Sequence, residues 1–193
     1  MLKLGITGGI GSGKSIICKV FKTLGTPVYE ADTRAKELTS DPRIRKDIIE
    51  LLGSEAYTSN GYNREYVAGV VFNNPAILQK INAIIHPAVD KDFTSWAAKH
   101  TQYKYVVKEA AILFESGAYK RMDQTVYVSA PESVRIKRVT KRDGVKEEQV
   151  RLRIQNQWSA DNIRSLADSM IVNDEKHLVL PQILQIHNEL INR

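Results

Sequence analysis

The 193-residue chain holds a single cysteine, Cys18. An intrachain disulfide is therefore impossible, and a reducing cytoplasm is the natural setting. Cys18 falls within the apolar pattern of the first helix, which points to core packing and away from a reactive thiol. No apolar run is long enough to cross a bilayer, and no signal-peptide pattern stands at the start, so neither membrane embedding nor export is expected. Internal repeats, low-complexity tracts and linkers are also missing. One domain with small inserted lobes is the expectation for this length.

Hydrophobic residues make up 42% and charged residues 26% of the chain, the ordinary balance of a globular protein with a sizeable core. The formal net charge is +6 and the pI about 9.3. Such a balance suits a nucleic-acid binder, and equally an enzyme that handles several phosphates at once. The basic residues are spread out, with only a modest gathering at Arg135, Lys137, Arg138, Lys141 and Arg142. That distribution favours a phosphate pocket over a nucleic-acid groove.

The richest signal begins at residue 8. Gly8-Gly9-Ile10-Gly11-Ser12-Gly13-Lys14-Ser15 fits G-x-x-x-x-G-K-[ST]. It follows the apolar stretch Leu2 to Ile6 and precedes the apolar-periodic stretch Ile16 to Leu24, which is the strand, loop and helix order that a phosphate-binding loop needs. Glycines let successive N–H groups turn inward on a phosphate, and the positive end of the following helix adds to the attraction. In this reading Gly11, Ser12, Gly13, Lys14, Ser15 and Ile16 hold the triphosphate of ATP. Lys14 reaches the β- and γ-phosphates and Ser15 offers its hydroxyl to Mg²⁺.

Further along, apolar runs alternate with helical patterns. Strands are expected at Leu2–Thr7, Pro27–Glu30, Tyr103–Val107, Gln124–Ser129 and Ser169–Val172. Helices are expected at Lys14–Leu24, Asp32–Thr39, Pro42–Leu52, Arg64–Phe72, Pro75–His100, Glu132–Arg142, Glu147–Gln157 and Leu178–Asn192. Tyr57–Asn63 reads as a loop or small hairpin turning at Asn60-Gly61. The alternation predicts an α/β fold of the P-loop NTPase type, three layers deep, with about five parallel strands. The nearly all-helical stretch from about residue 41 to 100 reads as a substrate lobe inserted into a core of residues 1–40, 101–131 and 158–193. The basic helix pair over about 132–157 reads as a small lid, of the kind phosphotransferases use to exclude water.

Glu30 and Asp32 stand at the end of the second strand, the end that lies beside the phosphate loop in a parallel sheet. A carboxylate there can accept a proton from an attacking hydroxyl or hold a Mg²⁺-bound water. Asp32 would equally serve as an N-cap for the next helix. Arg138 and Arg142, four apart, share a helix face and suit either a phosphate clamp or a solvated surface.

Taken in order, these residues resemble the dephospho-coenzyme A kinases. The resemblance spans nearly the whole chain: Gly5 to Ser15, Glu30-Ala31-Asp32, Gly61 to Arg64, Val71-Phe72, His86-Pro87, Ile112-Leu113-Phe114-Glu115, Arg138, Arg142-Asp143, Gln157, Ala167-Asp168 and Asn173. It implies transfer of the γ-phosphate of ATP to the ribose 3′-hydroxyl of dephospho-CoA. It also implies Asp32 as catalytic base, Lys14, Arg138 and Arg142 as stabilisers of phosphoryl charge, and Arg64 and His86 as residues of the acceptor lobe. His86 reads alternatively as a packed histidine starting a turn before Pro87, and Arg64 as a solvated helix-start residue. Gln157, Trp158 and Asp168 read as structural, and Asn173 lies after the last strand, near the expected adenine. The implied partner is dephospho-CoA, with neither nucleic acid nor membrane, for a monomer or small homo-oligomer.

This chain departs from the pattern at Ile16 in place of Thr, Glu30 in place of Asp, Ala111 in place of Pro and Glu109 where Asp is usual. The hydroxyl that Mg²⁺ needs, on Ser15, is kept. Another small-molecule kinase on the same scaffold is the first rival, and a nucleotide-dependent regulator the second. The Asn-Lys-x-Asp guanine signature of a GTPase is absent.

Overall fold

The computed structural model describes residues 1–72 and 74–193, with Phe72 in its backbone only, so half of the Val71-Phe72 match lies outside the described side chains. In chain order the elements are β1 (Leu2–Thr7), α1 (Lys14–Thr23), β2 (Val28–Glu30), α2 (Ala31–Leu38), α3 (Pro42–Leu52), β3 (Tyr57–Thr58), β4 (Gly61–Tyr62), α4 (Arg64–Phe72), α5 (Pro75–Ala98), β5 (Tyr105–Glu109), β6 (Gln124–Ser129), α6 (Glu132–Asp143), α7 (Glu147–Gln155), α8 (Ala160–Leu166), β7 (Ser169–Val172) and α9 (Val179–Ile191). Short 3₁₀ turns occupy Ser54–Ala56 and Ala118–Arg121. Among the described residues no helix is long and apolar enough to cross a membrane.

The chain divides into two compact units, Met1–Glu30 with Ala97–Arg193, and Ala31–Trp96. The first holds a five-stranded sheet in the order β2-β5-β1-β6-β7, parallel throughout. The chain moves outward from β1 to β2 on one side, then returns past β1 to β6 and β7 on the other. In open α/β sheets the ligand crevice opens at that reversal, outside the C-terminal strand ends. The central strands are buried on both faces, as strands of a parallel sheet are, which explains why they are mostly apolar. On one face Leu4, Ile6, Val126, Val128 and Ile171 pack against Ile17 and Phe21 of α1 and Ile183, Ile186 and Leu190 of α9. On the other, Tyr127 and Phe114 pack against Ile163 of α8. This is the expected three-layer α/β/α arrangement.

The second unit has its own core of Ile44, Ile48, Ala56, Tyr57, Val67 and Ile81. Asp41 caps α3 by accepting the Arg43 N–H at 2.9 Å, with Pro42 at the first helical position, where its missing N–H costs nothing. The Tyr57 hydroxyl donates to the Thr39 carbonyl at 2.7 Å, and the Arg45 guanidinium lies 4.8 Å from the Tyr57 ring centre. The β3–β4 hairpin turns at Ser59-Asn60, one residue before the expected Asn60-Gly61, because Gly61 is already paired with Thr58. Arg34 on α2 makes a two-pronged ion pair with Asp92 on α5, at 2.9 and 2.8 Å.

The structure departs from the sequence reading in several places. The division falls at Ala31 and Trp96 rather than at about residues 41 and 100, because α2 packs Leu38 into the second core and pairs Arg34 with Asp92. No turn forms at His86-Pro87, since α5 continues through Pro87. The ring only removes the N–H that would have bonded one carbonyl back in the helix. Strand β5 starts two residues later than expected and takes in Glu109. Helix α8, capped by the Ser159 hydroxyl accepting the Asn162 N–H at 3.2 Å, was not anticipated.

Candidate active site

Strand β1 delivers the chain straight into the glycine-rich turn, and α1 leaves from its far side. Gly13 occupies the N-cap of α1 at φ 97°, a left-handed conformation that costs glycine little. Its carbonyl accepts the N–H of Ile16 at 3.0 Å and of Ile17 at 3.3 Å. No side chain caps α1, so the helix presents its first turn and positive end to the loop. The Lys14 ammonium curls back to donate to the Gly8 carbonyl at 2.7 Å. Ser12 is 1% exposed, and its hydroxyl has no hydrogen-bond partner among the described residues. A buried hydroxyl left in that state is costly unless a ligand group completes it, and a phosphate oxygen is of the right chemistry. Ser15 is exposed, and Ile16 is 66% exposed at the rim.

Helix α6 lies directly on this loop. A Cβ on Gly11 would stand 2.6 Å from the Arg135 carbonyl oxygen and 2.9 Å from Val139 Cγ2. From α6, Arg138 donates to the Gly11 carbonyl at 3.5 Å, the Asn173 carbonyl at 3.2 Å and Asn173 Oδ1 at 3.3 Å. It also pairs with Glu175 at 3.4 Å. Asn173 in turn donates its amide to the Ser12 carbonyl at 2.7 Å. Arg142 is placed differently: it makes two bonds to its neighbour Asp143, at 2.6 and 3.1 Å, and Asp143 also accepts from Arg153 of α7. The structure therefore brings Gly11 to Ser15 and Arg138 together, and leaves Arg142 in the last turn of α6, bonded to Asp143.

Asp32, Arg64 and His86 belong to the second unit. Helix α2 starts at Ala31, so Asp32 is an exposed first-turn residue and not the N-cap. Arg64 is the exposed first residue of α4, and His86 is half-buried within α5.

Around the loop the electrostatics are uneven. Glu109, buried at the end of β5, lies in register with Ile6 of β1 and with Glu30 of β2. Glu30 pairs with Lys22 at 2.6 Å. Burial, reinforced by the charge of Glu109, pushes the Cys18 thiol up to about 12, so it stays protonated and chemically quiet. The described residues gather no group of three carboxylate, imidazole or thiol side chains fit for a metal. A Mg²⁺ would suit the chemistry here as it does in other phosphate loops, held by a hydroxyl and by the phosphates themselves.

Two residues were undervalued in the sequence. Arg135 is 8% exposed, and its Nε donates to the Ile10 carbonyl at 2.9 Å. Gln157 accepts the Ile10 N–H at 2.9 Å. The available signal was an arginine next to Ile136 and one turn before Val139, the two apolar residues that α6 buries. Asp168, by contrast, is structural as read: its carboxylate takes the Thr125 N–H and hydroxyl, each at 2.7 Å, and ties β6 to the start of β7.

The family model for dephospho-CoA kinase matches residues 2–178. A dephospho-CoA kinase of Porphyromonas gingivalis is 38% identical over 188 residues, covering 96% of this chain and 93% of its own. One from Salinibacter ruber is 40% identical over 178 residues, covering 90% and 89%. Among solved structures, TT1252 from Thermus thermophilus superposes with a TM-score of 0.84 at 27% identity, covering 99% of this chain and 96% of that one. A shikimate kinase from Acinetobacter baumannii, at 15% identity and a TM-score of 0.57, shares the fold alone, covering 100% and 94%.

Proposed function

The chain belongs to the dephospho-CoA kinase family, and from that premise we propose how its residues carry the γ-phosphoryl group of ATP to the ribose 3′-hydroxyl of dephospho-CoA. The observation that carries the reading is the loop itself, where an uncapped helix start, a buried unsatisfied Ser12 hydroxyl and Lys14 converge. The triphosphate rests on Gly11 to Ile16. Lys14 leaves the Gly8 carbonyl for the β- and γ-phosphate oxygens, a stronger, charge-assisted partner. Ser15 would hold a Mg²⁺, which would supply charge to neutralise the phosphates.

Asp32 takes the proton of the attacking 3′-hydroxyl as the new O–P bond forms and the bond to the β,γ-bridging oxygen breaks, leaving ADP and coenzyme A. Arg138, already lying on the loop, neutralises charge on the transferring group. Arg142 joins it only by giving up Asp143. Arg64 and His86 bind the acceptor, Arg64 pairing with its pyrophosphate. The protonated, buried Cys18 is compatible with a reducing cytoplasm.

The test is ADP release with ATP and Mg²⁺ in the presence of dephospho-CoA, AMP, shikimate or adenosine. Stimulation by dephospho-CoA alone, with coenzyme A as product, is expected. Stimulation by another acceptor would refute the assignment of the second unit, and none at all would favour a regulator. Asp32→Asn should lower kcat about a hundredfold or more while leaving the KM for ATP nearly unchanged. Near-normal turnover would remove Asp32 from the role of base.

A further inference from the structure

Ile10 is gripped by the α6–α7 hairpin and the segment that follows it, through each kind of contact a residue offers. Its N–H donates to Gln157 Oε1 at 2.9 Å, and its carbonyl accepts from Arg135 Nε at 2.9 Å. Arg135 Nη2 also donates to Gln157 Oε1, at 3.3 Å, which closes a ring of three bonds. The Ile10 side chain packs on Ile136, Val139 and Val150, the core shared by α6 and α7. The Arg135 guanidinium is pressed against the neighbouring residue: a Cβ on Gly9 would stand 2.2 Å from its Nη2 and 2.5 Å from its Cζ. Gly9 is not in the left-handed region, so a side chain there would meet no torsional obstacle and would only have to push the Arg135 guanidinium aside.

Burial pulls the pKa of Arg135 down from the ordinary arginine value, but an arginine remains charged at neutral pH. A charge is kept in such a place only where it is well bonded. Its bonds go to the phosphate loop and to Gln157, not to an acid.

We propose that Arg135 and Gln157 are positioning residues that set the phosphate loop for ATP, by fixing both polar groups of Ile10 and so orienting the peptides that lead into Gly11–Ser15. Gly8-Gly9 is the least restrained kind of dipeptide. Ordering one residue in advance is worth roughly a factor of ten in affinity. The hairpin is in this sense a part of the loop's foundation, and nucleotide affinity is tied to its packing. The inference rests on the reading of Gly8 to Ser15 as the ATP site.

The test compares ATP dissociation constants, by calorimetry well below each variant's Tm, for the wild type, Gly9→Ala, Arg135→Ser and the double variant. Alanine at position 9 displaces the guanidinium, so both single changes undo the same ring. Each should weaken ATP about tenfold, and the double should be no worse than the weaker single, with the KM for dephospho-CoA at saturating ATP unchanged. Losses that multiply in the double, or wild-type ATP affinity in Arg135→Ser, would overturn the proposal. A purely structural arginine would lower Tm and leave the dissociation constant alone. Gln157→Leu keeps Arg135 in place and carries the same test should Arg135→Ser fail to fold. It should weaken ATP to a similar degree, and wild-type affinity there would equally sink the idea. Failure of the wild type to bind ATP would instead refute the reading of the loop.

Discussion

Asn173 offers the sharpest quantitative test of how the loop is held. Its side chain faces two partners at once, donating to the Ser12 carbonyl at 2.7 Å and accepting from Arg138 at 3.3 Å. Asn173→Ala deletes both. The first is a short neutral bond worth about 1 kcal/mol, and the second, long and half-exposed, adds about 0.5 kcal/mol because Arg138 keeps the Asn173 carbonyl and Glu175. A loss near 1.5 kcal/mol should lower Tm by about 3–6 °C in a chain of this size. Asn173→Asp separates the two contacts. It strengthens the pairing with Arg138 but sets a carboxylate oxygen against the Ser12 carbonyl. The shorter contact should dominate, so Asp is expected to melt below Ala, and its deficit should persist when ATP is added. Thermal denaturation followed by circular dichroism, with and without ATP, reads both effects. An Asp variant as stable as the wild type would refute the reasoning, since it would make Arg138 and not Ser12 the partner that matters.

Three further outcomes are expected. Ile48 is fully buried in the core of the second unit, so Ile48→Ala should cost about 2–5 kcal/mol there, abolishing turnover of dephospho-CoA at temperatures where the ATP dissociation constant is unchanged. The Cys18 thiol, pushed up to about 12, should resist iodoacetamide at pH 8 and label fully only in denaturant, as read by mass spectrometry. Asp174 accepts the backbone N–H groups of Lys176 and His177 and bonds the His177 ring, which together hold its carboxyl well below the ordinary value of 3.8. The unfolded chain binds that proton first, so the contribution is present above pH 4 and fades as pH falls. The Tm gap between wild type and Asp174→Asn should shrink on acidification below pH 4, and a gap that widens would contradict the sign.

The strand, loop and helix at residues 2–23 were legible because a fixed spacing of glycines sits between a mainly apolar stretch and a periodic one. Pro42 announced its helix start by equally local chemistry, and Asn60-Gly61 announced the hairpin, although the turn itself falls one residue earlier, at Ser59-Asn60. What escaped depends on partners far away in sequence. Arg135 on an amphipathic helix reads as a solvated charge, and only its bond to Ile10, 125 positions away, makes it part of the loop. The allegiance of α2 is likewise settled by an ion pair spanning 58 positions. Helix α8, with seven residues, is too short for periodicity to declare it. Lys14 and Arg138 lie at the loop, whereas Arg142 is tied up by Asp143, a competition that spacing alone does not reveal.

The Arg34–Asp92 pair has a consequence for how the chain is made. During synthesis β1 emerges first, yet its partner β5 follows only after the whole second unit, for Leu2 pairs with Tyr105. At ribosomal speeds of about 5–20 residues per second, that apolar strand waits several seconds or more for its neighbour. The second unit has its own core and can fold in that interval. Once Arg34 and Asp92 have joined, β2 and β5 no longer have to close across residues 31–104, but only across residues 31–33 and 93–104. Because closure entropy varies with the logarithm of length, this shortening eases the pairing by on the order of 1 kcal/mol. A contact that makes no part of the sheet would thus hasten the assembly of the sheet from which the phosphate loop springs.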